Sequence, residues 1–343
     1  MKTLTAKRLL LRLTVAIAFL AIVMFLCSLV GTQSISLKTV FSQASDRPGI
    51  NPDYEIFVRV RLPRVILAAI VGAALACAGV VFQALLRNPL ADPYILGISS
   101  GAGLGAVIAV ITGLNYTLLG RSPITVLAFV GALGTVWLVW LIGQLTGKSG
   151  VTGLLLAGVV VNTFLSSLIM LLTSVAKSQQ VYSTIFWLMG NMGEESFLVL
   201  WVSAGAVAAA ISILYFISAD LNVLSFGHED AKSIGINVSR TRTIAFAAAA
   251  AVTAFAVSLS GLIGFVGLIV PHAVRLVSGP DHRQLIPLSA VSGAVFLVAA
   301  DTFARVVVAP AQLPVGVVTA IVGGPLFLLL LLKYTHKVSW LGK

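Results

Sequence analysis

Long apolar blocks separated by short polar segments run through the whole chain. Many blocks reach about twenty residues, the length at which an α-helix crosses a bilayer, and the ten-residue alternation typical of outer-membrane strands is not seen. The pattern therefore predicts an all-α integral membrane protein. The ten predicted spans are 11–31, 62–84, 93–113, 123–145, 151–173, 196–218, 241–260, 262–278, 285–305 and 314–333.

Composition supports this interpretation. Hydrophobic residues make up 59% of the 343 residues and charged residues only 10%, whereas a soluble domain is about a quarter charged. The polar segments are too short to hold a separate soluble domain. We therefore expect residues 1–343 to form one transmembrane domain.

The first apolar block follows Lys2, Lys7, Arg8 and Arg12 and superficially resembles a signal peptide. The block is longer than a typical signal core, and no small-x-small cleavage site follows it. The N-terminal block is therefore predicted to be a retained first span.

Basic residues are distributed unevenly between the two sides of the predicted membrane. With the N-terminus inside, 14 of the 22 lysines and arginines fall on the inner side and 8 on the outer side. The positive-inside rule then places both termini and the polar segment 219–242 in the cytoplasm. The net charge of +11 is explained by this bias, so no nucleic-acid partner is expected.

One long polar segment, residues 219–242, lies between two spans on the predicted cytoplasmic side. Its middle, from His228 to Ile234, is predicted to be a short helix that begins after Gly227 and is capped by Gly235. Glu229 and Asp230 fall in the first turn, where the helix dipole favours acidic groups. A short helix outside the bilayer is a contact element for a partner.

The order of the spans allows an inverted repeat, because spans 2–5 begin outside and spans 7–10 begin inside. Gly97, Gly101 and Gly105 recur every fourth residue in span 3, a spacing that favours close helix packing.

Two segments resemble enzyme motifs but give little support for an enzymatic activity. Gly147, Lys148 and Ser149 end like a phosphate-binding loop, but the required earlier glycine is out of register. The segment from Gly97 to Gly101 matches GxSxG, so an intramembrane serine protease using Ser99 and a base such as His272 is one alternative. Helix packing by small residues explains the same pattern.

Charged residues near the outer ends of spans have two interpretations. Asp301 and Arg305 are one helical turn apart and are expected to pair, since an unpaired acid in a membrane is costly. Arg59, Arg61 and Arg64 lie at the outer mouth of span 2. They either reach lipid headgroups or form a docking site for acidic side chains.

Eight segments, in order along nearly the whole chain, resemble the FecCD-type permeases of binding-protein-dependent ABC importers. They are RLPR at 61–64, QALLRNPLADPYILGISSGAG at 83–103, LLLAG at 154–158, FWLMGN at 186–191, GHEDAKSIGINV at 227–238, GLIGFVGLIVPHAVRLVSGPDHR at 261–283, ADTFAR at 300–305 and LPVGVVTAIVGGPLF at 313–327.

The resemblance implies a homodimer of ten-span subunits in a bacterial inner membrane. It also implies that the homodimer works with two separate ATPase subunits and a periplasmic or lipid-anchored substrate-binding protein. It implies ATPase coupling through Gly227, His228, Glu229, Asp230, Ala231, Lys232, Ser233, Ile234 and Gly235. Arg61, Arg64 and Arg305 match positions that dock the binding protein. Pathway or gate positions are Val151, Thr152, Leu156, Val159 and Asn162. The family usually has an acid at the position of Gln312, which puts a charge-based role there in doubt.

The expected function is therefore that of the permease subunit of an ABC importer for a metal chelate, with an iron(III)-siderophore, haem or cobalamin as cargo. The chain is expected to be no enzyme and to bind no cofactor, with ATP and Mg²⁺ held by the partner subunits. A passive channel or a secondary transporter is the other alternative.

Overall fold

The structure, a computed structural model, describes residues 5–42, 51–114, 122–145, 150–193, 195–225 and 227–339. Within these ranges every regular element is helical. The α-helices are α1 (Ala6–Leu29), α2 (Leu37–Ser42), α3 (Pro52–Tyr54), α4 (Leu62–Leu85), α5 (Ile98–Thr112), α6 (Pro123–Leu145), α7 (Gly150–Ser174), α8 (Ser178–Leu188), α9 (Phe197–Phe216), α10 (Ser218–Leu224), α11 (His228–Ser233), α12 (Val238–Ser260), α13 (Val266–Ser278), α14 (His282–Val306) and α15 (Val315–Ser339).

Among the described residues, each of the ten predicted spans coincides with an apolar helix, in the same order. Seven helices are long and apolar enough to cross a membrane, and three shorter apolar helices, α5, α13 and residues Val315–Leu329 of α15, occupy the other three predicted spans. α4 is mostly buried and packs against α9, α12, α13 and α14, whereas α1 lies at the periphery with its apolar side chains exposed. The molecule has two ends, called here the α11 end and the Arg64 end after elements that mark them.

Polar caps set where several helices begin. The Ser196 hydroxyl accepts a hydrogen bond from the Val199 N–H at the start of α9, and the Asn237 amide oxygen accepts one from the Arg240 N–H at the start of α12. Such caps satisfy backbone N–H groups that the first turn of a helix leaves without a partner. They therefore fix the boundaries between apolar spans and polar links.

Spans 3 and 8 are discontinuous. α5 and α13 have 15 and 13 residues, so each is only about 20 Å long and too short for the roughly 30 Å hydrocarbon core. Gly97 and Phe265 precede them with positive φ angles of 77° and 69°. A 3-10 helix, Pro93–Leu96, leads into α5, and a non-helical segment from Gly261 leads into α13.

The two halves use corresponding contacts, as an inverted repeat requires. α4 packs on α13 and α14, and α12 packs on α5 and α6. Each central helix thus contacts the broken span and its neighbour from the other half. Broken helices at matching positions are a mark of transporter folds.

Glycines bring α4, α13 and α14 into backbone contact. A Cβ built on Gly72 would lie 2.2 Å from the Gly293 carbonyl oxygen, and one on Gly79 only 1.8 Å from the Gly267 carbonyl oxygen. The predicted packing role of span 3 glycines is also confirmed, because Gly101 lies against the Gly131 carbonyl of α6. Small residues of this kind drive helix association in membranes.

Three connecting elements were not expected from the sequence. α8 follows α7 at the Arg64 end, α10 continues α9 towards α11, and a π-helical turn, Glu55–Arg61, joins α3 to α4. The Gln180 side-chain amide of α8 donates to the Ile111 carbonyl at 3.0 Å. This bond places α8 against the end of α5.

Candidate functional site

Arg64, Asp301 and Arg305 form a buried ion cluster where α4 meets α14. The Arg64 Nε lies 3.0 Å from Asp301 Oδ1, and the Arg305 Nε lies 3.0 Å from Asp301 Oδ2. The predicted Asp301–Arg305 pair is therefore confirmed, and Arg64 joins it from another helix. One carboxylate against two guanidinium groups leaves the cluster with one net positive charge.

Arg61 and Arg305 also bind the end of α1. The Arg61 guanidinium donates to the carbonyl oxygens of Leu29, at 2.7 Å, and of Gln33. Cations at a helix C-terminus satisfy carbonyls that have no partner within the helix. These arginines therefore fix the peripheral helix α1 to the core.

The three arginines predicted to dock the binding protein are buried within this chain. Arg61, Arg64 and Arg305 are only 4%, 8% and 6% exposed because carboxylate and carbonyl oxygens of the same chain accept their hydrogen bonds. Arg59 is the exposed member, and it pairs with Glu55 at 2.9 Å. Any docking partner would thus meet Arg59 before it reached the buried three.

Gln312 completes the cluster with a neutral acceptor. Its Oε1 accepts a hydrogen bond from the Arg64 Nη1 at 2.9 Å. An acid at this position would cancel the remaining positive charge, whereas the amide only orients the guanidinium.

The predicted short helix in segment 219–242 is confirmed as α11, which ends at Ser233. Gly235 has a φ of 89°, and its N–H donates to the Lys232 carbonyl, as predicted for a C-terminal glycine cap. Ala231 is fully buried, and Ile234 is 68% exposed. The side chains of His228, Glu229 and Asp230 lie outside the described part of the chain, and residues 147–149 lie outside it altogether.

The predicted pathway residues Thr152, Leu156, Val159 and Asn162 share one face of α7, since they are spaced by three or four residues. Leu156 and Val159 are exposed, and the side chain of Val151 is outside the described part. Asn162 lines a groove of about 570 Å³ between α5, α7 and α8.

The groove has polar but uncharged walls. Its lining comprises Ser99, Ser100, Asn162, Ser166, Ile169, Met170, Thr173, Ser174, Thr184, Ile185, Leu188 and Leu262. The Ser100 and Thr173 hydroxyls bond to carbonyls of their own helices. The Asn162 amide has no hydrogen-bond partner among the described residues, so it is free to bind a molecule in the groove.

Ser99 and His272 are not brought together at this groove. Ser99 is part of the wall, whereas none of the described residues that line it is a histidine. A serine nucleophile needs a base within hydrogen-bond reach. The geometry therefore gives the serine-protease alternative no support. In the same described ranges, no group of three or more His, Cys, Asp or Glu side chains could hold a metal ion.

Comparison with known proteins gives concordant matches. The FecCD transport family model matches residues 19–333. The cobalamin import system permease protein BtuC of Halobacterium salinarum is 45% identical over 272 residues, which are 79% of this chain and 72% of that protein. The hemin transport system permease protein HmuU of Yersinia pestis is 36% identical over 328 residues, which are 94% of this chain and 97% of that protein.

A solved structure agrees with the sequence matches. It is described as an inward-facing conformation of a metal-chelate type ABC transporter. Its TM-score is 0.81 at 31% sequence identity, and the match covers 94% of this chain and 98% of that chain.

Proposed function

This chain belongs to the FecCD transport family, and we propose that its cargo is a large metal chelate. Of the three candidate chelates, we propose an iron(III)-siderophore first and haem or cobalamin second. The protein is a multi-pass membrane protein and the permease subunit of an ABC importer. Similar permeases are named for cobalamin and hemin, which supports the chelate class.

The groove along α7 carries the cargo proposal. Its described walls combine hydroxyl and amide groups with apolar side chains and include no charge. A bare transition-metal cation binds best to carboxylate, thiolate or imidazole ligands, and none of the described lining residues carries one. A chelate whose metal is already coordinated requires only neutral contacts that let it pass.

Leu156 and Val159, on the same face of α7 as Asn162, are exposed large apolar residues. Lipid would cover apolar side chains equally well, but Thr152 and Asn162 on the same face are polar, which favours a protein partner over lipid. We infer that a second copy of the chain covers this face, so that the pathway lies in a homodimer with Thr152 and Val151 at its gate. Alternating access is then a shift between states with opposite openings.

α11 is proposed as the element that couples the permease to ATP hydrolysis. Ala231 fixes the helix to the protein, while Lys232, Ser233 and Ile234 are on its exposed side. We propose that the segment Gly227–Gly235 seats in a separate ATPase subunit that binds ATP and Mg²⁺. The chain itself has no catalytic role in this proposal.

The Arg64 end is proposed to receive the substrate-binding protein. The cluster of Arg64, Asp301 and Arg305 has a net positive charge and favours acidic partner groups. Arg59 offers an exposed guanidinium beside it, and Arg61 holds the neighbouring end of α1 in place. This end would face outward, with both termini and α11 in the cytoplasm.

The test is cargo uptake and ATPase activity of the chain reconstituted in liposomes with its ATPase and binding protein. Ferric siderophore, haem and cobalamin are compared side by side. Stimulation of uptake and ATPase activity by a ferric siderophore supports the proposed cargo. Stimulation by haem or cobalamin alone would identify that chelate as the cargo in place of the siderophore. If the ATPase rate stays at its basal value with the binding protein and with every chelate, the importer mechanism is overturned and a channel is favoured.

A charge reversal tests the coupling role. The double substitution Glu229→Lys and Asp230→Lys should abolish stimulated ATPase activity and uptake while the permease still inserts. The matched control is Ser178→Lys with Gln179→Lys, two exposed positions at the start of α8, at the opposite end. Normal uptake by the α11 variant would show that this helix does not couple the permease to ATP hydrolysis.

A further inference from the structure

A second cavity, which the pathway does not use, lies at the α11 end. It has a volume of about 960 Å³ and is enclosed by the first half of α1, the end of α4, α10 and the link between α13 and α14. Arg12, Arg87 and Arg275 line it from three different parts of the chain. We call this cavity the basic pocket.

Two of the arginines are held in place by glutamines. The Arg275 Nη2 donates to Gln83 Oε1 at 2.9 Å, and the Arg12 Nη1 donates to Gln284 Oε1 at 2.7 Å. Both acceptors are neutral, so the hydrogen bonds orient the guanidinium groups and leave their charge uncompensated. Arg87, exposed in the loop after α4, adds a third positive charge.

The single carboxylate among the lining residues, Asp281, is already engaged. It forms an ion pair with Arg283 at 2.8 Å, and its Oδ1 accepts from the Asn222 Nδ2 at 2.8 Å. Hydrogen bonding from the Arg283 side chain, with help from Asn222, lowers the pKa of Asp281 to about 2. The pocket thus has an excess of positive charge at neutral pH.

His282 leaves a polar group without a partner in the wall of the pocket. Its ring is 5% exposed, and Nδ1 lies 2.7 Å from Asn222 Oδ1. Since the Asn222 Nδ2 donates to Asp281, Oδ1 is the acceptor and Nδ1 carries the proton. The buried Nε2 has no hydrogen-bond partner among the described residues. With the proton on Nδ1, Nε2 is a hydrogen-bond acceptor, so a hydroxyl of a lipid headgroup, and not its phosphate, would satisfy it.

The pocket also has an apolar side. Leu276 and Val277 belong to its lining and are 71% and 87% exposed. The neighbouring α1 presents Leu10 and Leu11 outward beside Arg12. A ligand that satisfies both sides has an anionic head and an apolar tail, whereas free phosphate would contact only the arginines.

We propose that the basic pocket binds the phosphate headgroup of an acidic phospholipid, with its acyl chains against Leu276, Val277 and α1. Basic pockets between transmembrane helices bind anionic headgroups in this way. The pocket lies where α1 begins and α13 ends, at the level where headgroups meet a bilayer protein. The inference is independent of the cargo and of which way the chain is oriented.

The experiment is lipid retention by the purified full chain, measured by native mass spectrometry after equilibration with phosphatidylglycerol and phosphatidylcholine. The wild type should retain phosphatidylglycerol preferentially. Arg12→Gln and Arg87→Gln should each weaken retention by about tenfold, the value of one charge-assisted hydrogen bond. Arg240→Gln is the matched control, since Arg240 is an exposed arginine at the same end and lies outside the pocket.

Four results would overturn the proposal. One is equal retention of both lipids by the wild type, and another is equal weakening by Arg240→Gln and the pocket variants. The third is thermal stabilisation by inorganic phosphate that equals the stabilisation by phosphatidylglycerol, because the pocket would then recognise phosphate from solution. Release of bound phosphatidylglycerol by the ATPase subunit in the wild type but not in Arg87→Gln would assign the pocket to that subunit instead.

Discussion

The Tyr94 hydroxyl both donates to the Ile263 carbonyl, at 2.9 Å, and accepts from the Ile263 N–H, at 3.0 Å. Tyr94 lies in the 3-10 helix before α5, and Ile263 lies in the non-helical segment before α13. One hydroxyl therefore joins the breaks of the two discontinuous spans. The hydroxyl thus gives hydrogen-bond partners to the N–H and the C=O of Ile263, which have none within a helix. Non-helical backbone inside a membrane needs such partners, because no water is there to supply them.

Tyr94→Phe should loosen the joint between the two broken spans. The substitution keeps the ring but leaves both backbone groups of Ile263 without a partner, at a cost of about 1–3 kcal/mol for a buried polar group. Thermal unfolding of the purified protein in detergent is the measurement. Tyr182→Phe is the control, because the Tyr182 side chain is 68% exposed and stacks on Phe186. Equal stability of wild type and Tyr94→Phe would show that the joint is not needed.

Gly79→Ala should disrupt the contact between α4 and α13. The new Cβ would lie 1.8 Å from the Gly267 carbonyl oxygen, and backbone on both sides cannot yield as a flexible side chain would. We expect a loss of stability of at least about 1–3 kcal/mol, the range for overpacking, or failure to insert. Membrane insertion and thermal unfolding are both measured.

Gly134→Ala is the matched control for this contact. Gly134 lies in the interior of α6, and no atom lies within 4 Å of the Cβ it would gain. The control should retain wild-type stability. Similar behaviour of the two variants would mean that α4 and α13 separate more easily than the backbone contact suggests.

Local signals in the sequence were sufficient for the spans and for some pairs. Hydropathy located seven helices that are long enough to cross a membrane and three shorter apolar helices, and spacing of four residues identified the pair Asp301–Arg305. The preference for glycine at helix C-termini identified Gly235 as the cap of α11. Each of these inferences depends on residues that are close along the chain.

Contacts between distant segments were not predictable in this way. Arg64 and Asp301 are 237 positions apart, and the sequence has no feature that aligns α4 with α14 at that level. The burial of Arg61 was not predictable for the same reason, because its acceptors are backbone carbonyls, which every residue carries. α8 was missed because its mixed polar and apolar residues resemble a link between spans.

Asp301→Asn should destabilise the protein strongly. The buried carboxylate balances Arg64 and Arg305, and removing one member of a buried ion cluster costs about 3–5 kcal/mol because it leaves uncompensated charge. Glu55→Gln breaks the pair with Arg59, which is largely exposed, and should cost about 0–1 kcal/mol. Thermal unfolding of both variants checks the difference, and a mild effect of Asp301→Asn would show that water reaches the cluster.

Gly235→Ala should separate coupling from folding. Gly235 has a φ of 89° and no atom within 4 Å of an added Cβ, so the only penalty is the left-handed backbone, about 1–2 kcal/mol. Gly113 at the end of α5 has a φ of 64° and the same free space, at the opposite end of the molecule. Gly113→Ala therefore applies strain of the same kind, and smaller because φ lies within the left-handed region, away from α11.

The measurement for this pair is uptake per ATP hydrolysed in reconstituted liposomes. Gly235→Ala should lower it several-fold, because a distorted cap changes how α11 meets the ATPase, and Gly235→Asn should recover part of it, since asparagine tolerates the left-handed region. Gly113→Ala should keep the wild-type ratio. If the two alanine variants lose coupling equally, general strain is the cause and α11 has no special part in transmitting ATP hydrolysis to the spans.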